Sequence, residues 1–113
     1  MHEPMNVELR KLEFENAAAG SLGLESCFGA LNKVFPLDNV LSFLTRGVKC
    51  FGIETPVIAV GAPADLTLFD PEKIYHYSEN ELKSTSKNSA YLGMELQGKV
   101  LGSINNGILT LNE

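Results

Sequence analysis

A chain of 113 residues is the size of one domain, and its 44% hydrophobic and 20% charged residues are those of an ordinary globular chain, which excludes a disordered or collagen-like polymer. A formal net charge of −5 leaves no basic stripe, which argues against nucleic acid as the main partner. The apolar runs, Val57 to Val60 among them, fall far short of the roughly 20 residues that cross a bilayer, and no basic-then-apolar leader stands at the start, so no membrane is expected and a cytoplasmic location is the default.

Residues 3 to 18 are charged and irregularly amphipathic, which predicts a loop running into a short helix. Gly20 and Gly23 then loosen the backbone before Leu24, Cys27, Phe28, Leu31 and Val34 recur at spacings of three and four, the period of a helix. Ser21 stands where that helix needs a cap, and Glu25 falls in its first turns, where a carboxylate suits the dipole. Pro36 closes this helix and opens a second, with Leu37, Val40, Leu41, Leu44 and Val48 on one face and Gly52 as its stop.

After about residue 53 the period becomes strand-like, dividing the chain into a helical part, 1–53, and a β-rich part, 54–113. Val57 to Val60 form a short β-prone run ended by Gly61-Ala62-Pro63. Leu66 to Phe69 read as a mostly buried strand ended by Asp70-Pro71, and residues 72 to 98 as a stretch with few core positions and a serine-rich loop. Lys99–Asn105 and Ile108–Leu111 flank Asn106-Gly107, the pair best suited to a type I′ turn, so the chain is expected to end in a hairpin.

Chemistry-bearing residues are sparse. His2 and His76 are the two histidines, in unrelated segments, and do not by themselves make a metal site; His76 reads as a surface or strand-edge residue. Glu3, Glu8, Glu13, Glu15 and Glu25 read as a solvated charged face, and Asp65 as a turn-capping carboxylate. Ser21 in G-S-L-G is not a nucleophile elbow, because Ala19 stands where that motif needs glycine. Gly20 and Gly23 read first as a helix-entry loop, with close approach of backbone to a ligand as the alternative. Asn88 is expected to turn a loop through its own backbone. Cys27 and Cys50 read as reduced core thiols, with a disulfide as the alternative outside a reducing compartment.

The order H-E-P at His2, L-E-F-E-N-A-A-A-G-S-L-G-L-E-S from Leu12, a two-helix stretch ending F-G-I, V-G-A-P-A-D-L-T-L-F-D-P from Val60, S-T-S-K-N-S-A-Y-L-G-M-E-L-Q-G-K-V from Ser84 and a hairpin closing N-G-I-L resembles the C-terminal third of the dihydroorotase family. Allantoinases and hydantoinases are similar more distantly. The resemblance implies an α+β chain: the last helices of an amidohydrolase TIM barrel, then the C-terminal strands of its small β-sandwich domain. It also implies a parent activity, hydrolysis of a ring amide between dihydroorotate and carbamoyl aspartate, in which zinc held by an H-x-H pair, a carboxylated lysine and two further histidines activates water.

None of those ligand segments is on this chain, so no metal site and no catalytic residue are expected here, and the chain alone is expected to be inactive. The family's D-H-x-P-H begins M-H-E-P-M, putting Met1 at the aspartate that handles the proton and Met5 at the histidine that contacts the substrate carboxylate. A methionine does neither job. Truncation just after the aspartate is the favoured explanation of Met1, against a genuine short product. Ala19 and Gly20 align with the pair whose backbone meets the substrate, and Lys87 and Asn88 with a structural loop. Arg46-Gly47-Val48 replaces the family's N-P-A. The partners implied are a second copy or the missing N-terminal part of the barrel, and, for a non-catalytic relative serving as an assembly module, aspartate transcarbamoylase.

Overall fold

The computed structural model describes residues 2 to 112, the side chain of Val7 excepted, so the assignment of Met1 to the aspartate position lies outside the described residues. Its elements are a 3-10 turn at Val7–Arg10, helix α1 (Cys27–Asn32), helix α2 (Leu37–Cys50), strand β1 (Leu66–His76), a 3-10 turn at Glu79–Glu81, strand β2 (Glu95–Asn105) and strand β3 (Ile108–Leu111). The strands form one antiparallel sheet in the order β1-β2-β3, giving a small α+β fold.

Helix α2 follows its sequence signals. Pro36 is its N-cap, Asp38 lies in the first turn and Lys49 in the last. Beyond the C-cap Phe51, Ile53 N–H reaches the Val48 carbonyl at 3.0 Å and Gly52 N–H the Lys49 carbonyl at 3.3 Å, while Gly52 takes φ +65°, the paired bonds of a Schellman ending. Helix α1 is shorter than the spacing predicts. Leu24 to Ser26 form a turn, and Ser26, buried at 1% exposure, turns its hydroxyl back to the Gly23 carbonyl (3.3 Å) instead of capping. Ser21 caps nothing either; it is drawn into a parallel bridge with His2.

The β half differs from expectation in three places. Val57 to Val60 is not a strand: the run is exposed and has no ladder partner among the described residues, and β-branched residues form strands only where a pleated neighbour covers them. Strand β1 does not stop at Asp70-Pro71. Asp70 Oδ1 accepts from the Glu72 and Lys73 amides (3.0 and 3.2 Å), the register shifts between Asp70 and Ile74, and the strand resumes to His76. The segment from 72 to 98 holds the core rather than lacking it. Tyr77, Leu82 and Leu96 are buried together with Leu22, and Ala30, Tyr75, Tyr91 and Leu92 pack on them. The terminal hairpin forms as its turn dictates, with Asn106 at φ +49° and Gly107 at φ +76°.

Helix α1 is seated on β2 and reaches the β1 bulge: Phe28 packs edge-on against Phe69 at 4.9 Å, and Asn32 Nδ2 donates to the carbonyls of Pro71 (2.8 Å) and Gln97 (3.2 Å). Lys99, on β2, pairs with Glu81 at 3.0 Å and lies over the Tyr75 ring. Helix α2 buries only Val40 fully among its residues, and Phe43 and Leu44 stay 49% and 46% exposed. The radius of gyration of 16.3 Å exceeds the roughly 13 Å of a compact domain of this length, in line with apolar surface left uncovered.

Candidate functional site

Three segments far apart in sequence meet at the residues that carry the H-E-P and A-A-A-G-S motifs. His2 bridges Ser21 in parallel, and Leu22 bridges Ser89 in parallel, so residues 2–3, 21–22 and 88–89 lie side by side. Glu3 N–H donates to the Ser21 carbonyl (2.8 Å) and Leu22 N–H to the Asn88 carbonyl (3.3 Å). Asn88, only 7% exposed, joins both sides: its Nδ2 donates to the Glu3 carbonyl (3.1 Å) and its Oδ1 lies 2.7 Å from Ser86 Oγ. Ser86 Oγ also accepts from Met5 N–H (3.1 Å) and stands against the Met5 carbonyl. A buried asparagine whose oxygen and nitrogen are both satisfied fixes the spacing of what it joins. The expectation that Asn88 turns its own loop missed this role; a lone polar residue between two turn-forming serines carries no signal of a partner 85 positions away.

Gly20 sits in this junction with φ +101°, and a Cβ there would stand 2.7 Å from Glu3 Oε2 and 2.8 Å from Glu3 Cβ. Close approach of backbone to the H-E-P strand therefore requires glycine at this position. The Gly20 carbonyl accepts from Arg10 Nη1, and Ala19 beside it is exposed. The structure thus brings Ala19 and Gly20 next to His2 and Glu3. His2 points its Nδ1 at two backbone amides, Gly23 N (3.3 Å) and Leu24 N (3.1 Å). Met5 is half-buried, its backbone held by Ser86.

Glu25 and Asp65 have structural employment. Glu25 does not serve the α1 dipole; its carboxylate accepts from the Lys83 amide (2.7 Å), the Ser84 amide (3.2 Å) and the Ser84 hydroxyl. Partial burial pushes the Glu25 carboxyl up, but the Ser84 hydroxyl and the two amides outweigh it and hold the carboxyl below its ordinary value. Asp65 Oδ1 accepts from Asn105 Nδ2 (2.9 Å), tying the start of β1 to the end of β2. Glu8, Glu13 and Glu15 are exposed, the solvated face expected of them. Tyr77 is 2% exposed and its hydroxyl makes no hydrogen bond of good geometry among the described residues; burial, then the Glu25 carboxylate, pushes its phenol up to about 12 against a smaller opposing pull from the Ser89 side chain.

The zinc that the family resemblance implies does not fit these residues. His2 Nδ1 is occupied by two amides, His76 ends β1 opposite Glu95, and no group of three or more His, Cys, Asp or Glu able to hold a metal occurs among the described residues. Cys27 is half-buried and Cys50 exposed, so only the first approaches the core thiol expected, and both are free. Beside the junction an open groove of about 920 Å³ runs between α1 and β2, lined by His2, Leu24, Cys27, Val34 and Met94 among others. It is mostly apolar, with His2, Lys33 and Glu95 as its charged or polar edge.

No family model matches the chain. Among curated proteins it is similar to the dihydroorotase of Leifsonia xyli subsp. xyli, 34% identical over 120 residues, covering 97% of this chain and 27% of the relative. It is 33% identical over 113 residues to the dihydroorotase of Clostridium acetobutylicum, covering 94% of this chain and 27% of that protein. It is 26% identical over 119 residues to that of Enterococcus faecalis, covering 99% and 28%. The chain spans about a quarter of the length of the curated relatives it matches.

Proposed function

We propose, from the premise that this chain is a dihydroorotase-related segment, that it supplies the substrate-facing end of a cyclic amidohydrolase whose metal ligands lie on other residues. Within that reading, residues 1–53 belong to the end of a TIM barrel and residues 54–113 to its small β-sandwich domain. The parent reaction is opening of a ring amide, dihydroorotate to carbamoyl aspartate, with zinc supplied from outside this segment. Ala19 and Gly20 offer backbone to the substrate.

The observation that carries the reading is the junction itself. The motif residues of the resemblance, His2–Met5, Ala19–Gly20 and Ser86–Asn88, lie together although up to 85 positions separate their bonded partners. Hydrolysis needs an activated hydroxide, and the described residues of the junction contain no metal donor set to make one.

Met5 favours a second reading. With a thioether where the family contacts a carboxylate, the same fold suits a non-catalytic assembly module that binds a partner chain, of which aspartate transcarbamoylase is the family's precedent. Zinc analysis and a dihydroorotate hydrolysis assay on the 113-residue chain test the first reading. Zinc far below one per chain and no turnover are expected. Stoichiometric zinc with turnover would overturn the claim that ligands lie elsewhere.

A further inference from the structure

We propose that His2 is a positioning residue, acting through Nδ1 in a fixed tautomer to lock the H-E-P strand to the Gly20–Leu24 turn. Its meaning for catalysis rests on the reading above. Both groups facing Nδ1 are backbone N–H groups, Gly23 at 3.3 Å and Leu24 at 3.1 Å, and a backbone N–H only donates. Nδ1 is therefore the unprotonated nitrogen, and the ring proton is on Nε2.

The pair of bonds does two things. It satisfies two amides of the turn entering α1, whose own serine, Ser26, makes no side-chain cap. It also fixes register. Glu3 N–H holds Ser21 from one side (2.8 Å), while the His2 ring holds Gly23 and Leu24 from the other, so the turn is gripped at both ends by consecutive residues of one strand. Gly20 lies close enough to Glu3 that a Cβ there would stand 2.8 Å from Glu3 Cβ. Asn88 closes the third side through Glu3 and Leu22. The backbone of Gly20 is thereby held against His2 and Glu3 by the imidazole, without the imidazole touching substrate.

Nitrogen NMR of the histidine rings, with amide hydrogen exchange on the full chain, tests this. The His2 spectrum is expected to show protonated Nε2 and bare Nδ1. In His2→Asn the side-chain oxygen takes the place of Nδ1, so exchange at Gly23 and Leu24 should stay within about twofold of the parent; in His2→Gln the acceptor lies one carbon too far and exchange there should rise about tenfold. Amides of Tyr77 and Leu96, in the core, should be unchanged in both variants, which separates a local grip from general loss of stability. A spectrum with the proton on Nδ1, or equal exchange at Gly23 and Leu24 in the Asn and Gln variants, would overturn the proposal. Turnover by the isolated chain would instead sink the functional reading and leave the His2 spectrum as predicted.

Discussion

Leu96 and Ile58 are both branched apolar residues, yet Leu96 is 2% exposed and Ile58 90%. Around Leu96 strands β1 and β2, α1 and the loop from Tyr77 to Leu82 close on one another, with Leu22, Ala30, Tyr75, Tyr77 and Leu82 among the residues of the cluster. Around Ile58, Phe51, Ile53, Val57 and Val60 stand 61% to 108% exposed, and the backbone has no ladder partner among the described residues. The two regions differ in what lies next to them, and composition does not separate them.

The largest effect that sharpens this contrast belongs to Gly98 on β2. Its φ is +97°, and a Cβ would meet Phe28 Cε1 at 2.8 Å and Asn32 Nδ2 at 2.9 Å. Gly98→Val forces α1 off the sheet while imposing a strained φ, so a loss of about 3 kcal/mol or more is expected in denaturant unfolding. A loss below about 1 kcal/mol would mean that α1 is not seated on β2 as described.

Next is Tyr77. Its phenol rises from 10.0 to about 12, which means that the neutral form is the one the fold favours. Stability from this group is present below pH 10 and is lost as pH climbs from 10 toward 12. Tyr77→Phe should flatten that alkaline limb and, by removing an unpaired buried hydroxyl, leave neutral-pH stability within about 1 kcal/mol of the parent. An alkaline limb of the same steepness in the variant would count against a buried Tyr77.

The smallest effect is expected in the uncovered region. Ile58→Ser and Val60→Ser should each change stability by no more than about 0.5 kcal/mol, because neither side chain packs on anything here. A loss of 2 kcal/mol or more from either would show that the segment packs in solution and would erase the contrast.

The sequence was legible where a local rule decides. The Pro36 start and Gly52 end of α2 follow from dihedral constraints on those residues, and Asn106-Gly107 from the turn that joins β2 to β3. It was illegible where a distant partner decides. Nothing near Glu25 says that its carboxylate will hold Lys83 and Ser84 instead of a helix end, and nothing in a serine-rich loop says that Tyr77 and Leu82 beside it will be core. Val57 to Val60 failed in the reverse sense: β-branched propensity alone made no strand, because no neighbouring strand among the described residues pairs with the run. The candidate site divides the same way. The family resemblance singles out Ala19 and Gly20 as an expectation, whereas the Asn88 and Ser86 bonds to Glu3 and Met5 have no local signal in the sequence.

The most direct test of the account grafts this chain in place of the matching quarter of the Leifsonia xyli dihydroorotase, with Met1→Asp, with and without Met5→His. If the segment is the substrate-facing end of such an enzyme, the doubly substituted graft turns over dihydroorotate. It should exceed the Met1→Asp graft in kcat/KM by about tenfold or more, the worth of one charge-assisted hydrogen bond of about 1.5–3 kcal/mol. A folded, zinc-loaded graft that stays inactive with both substitutions would contradict it.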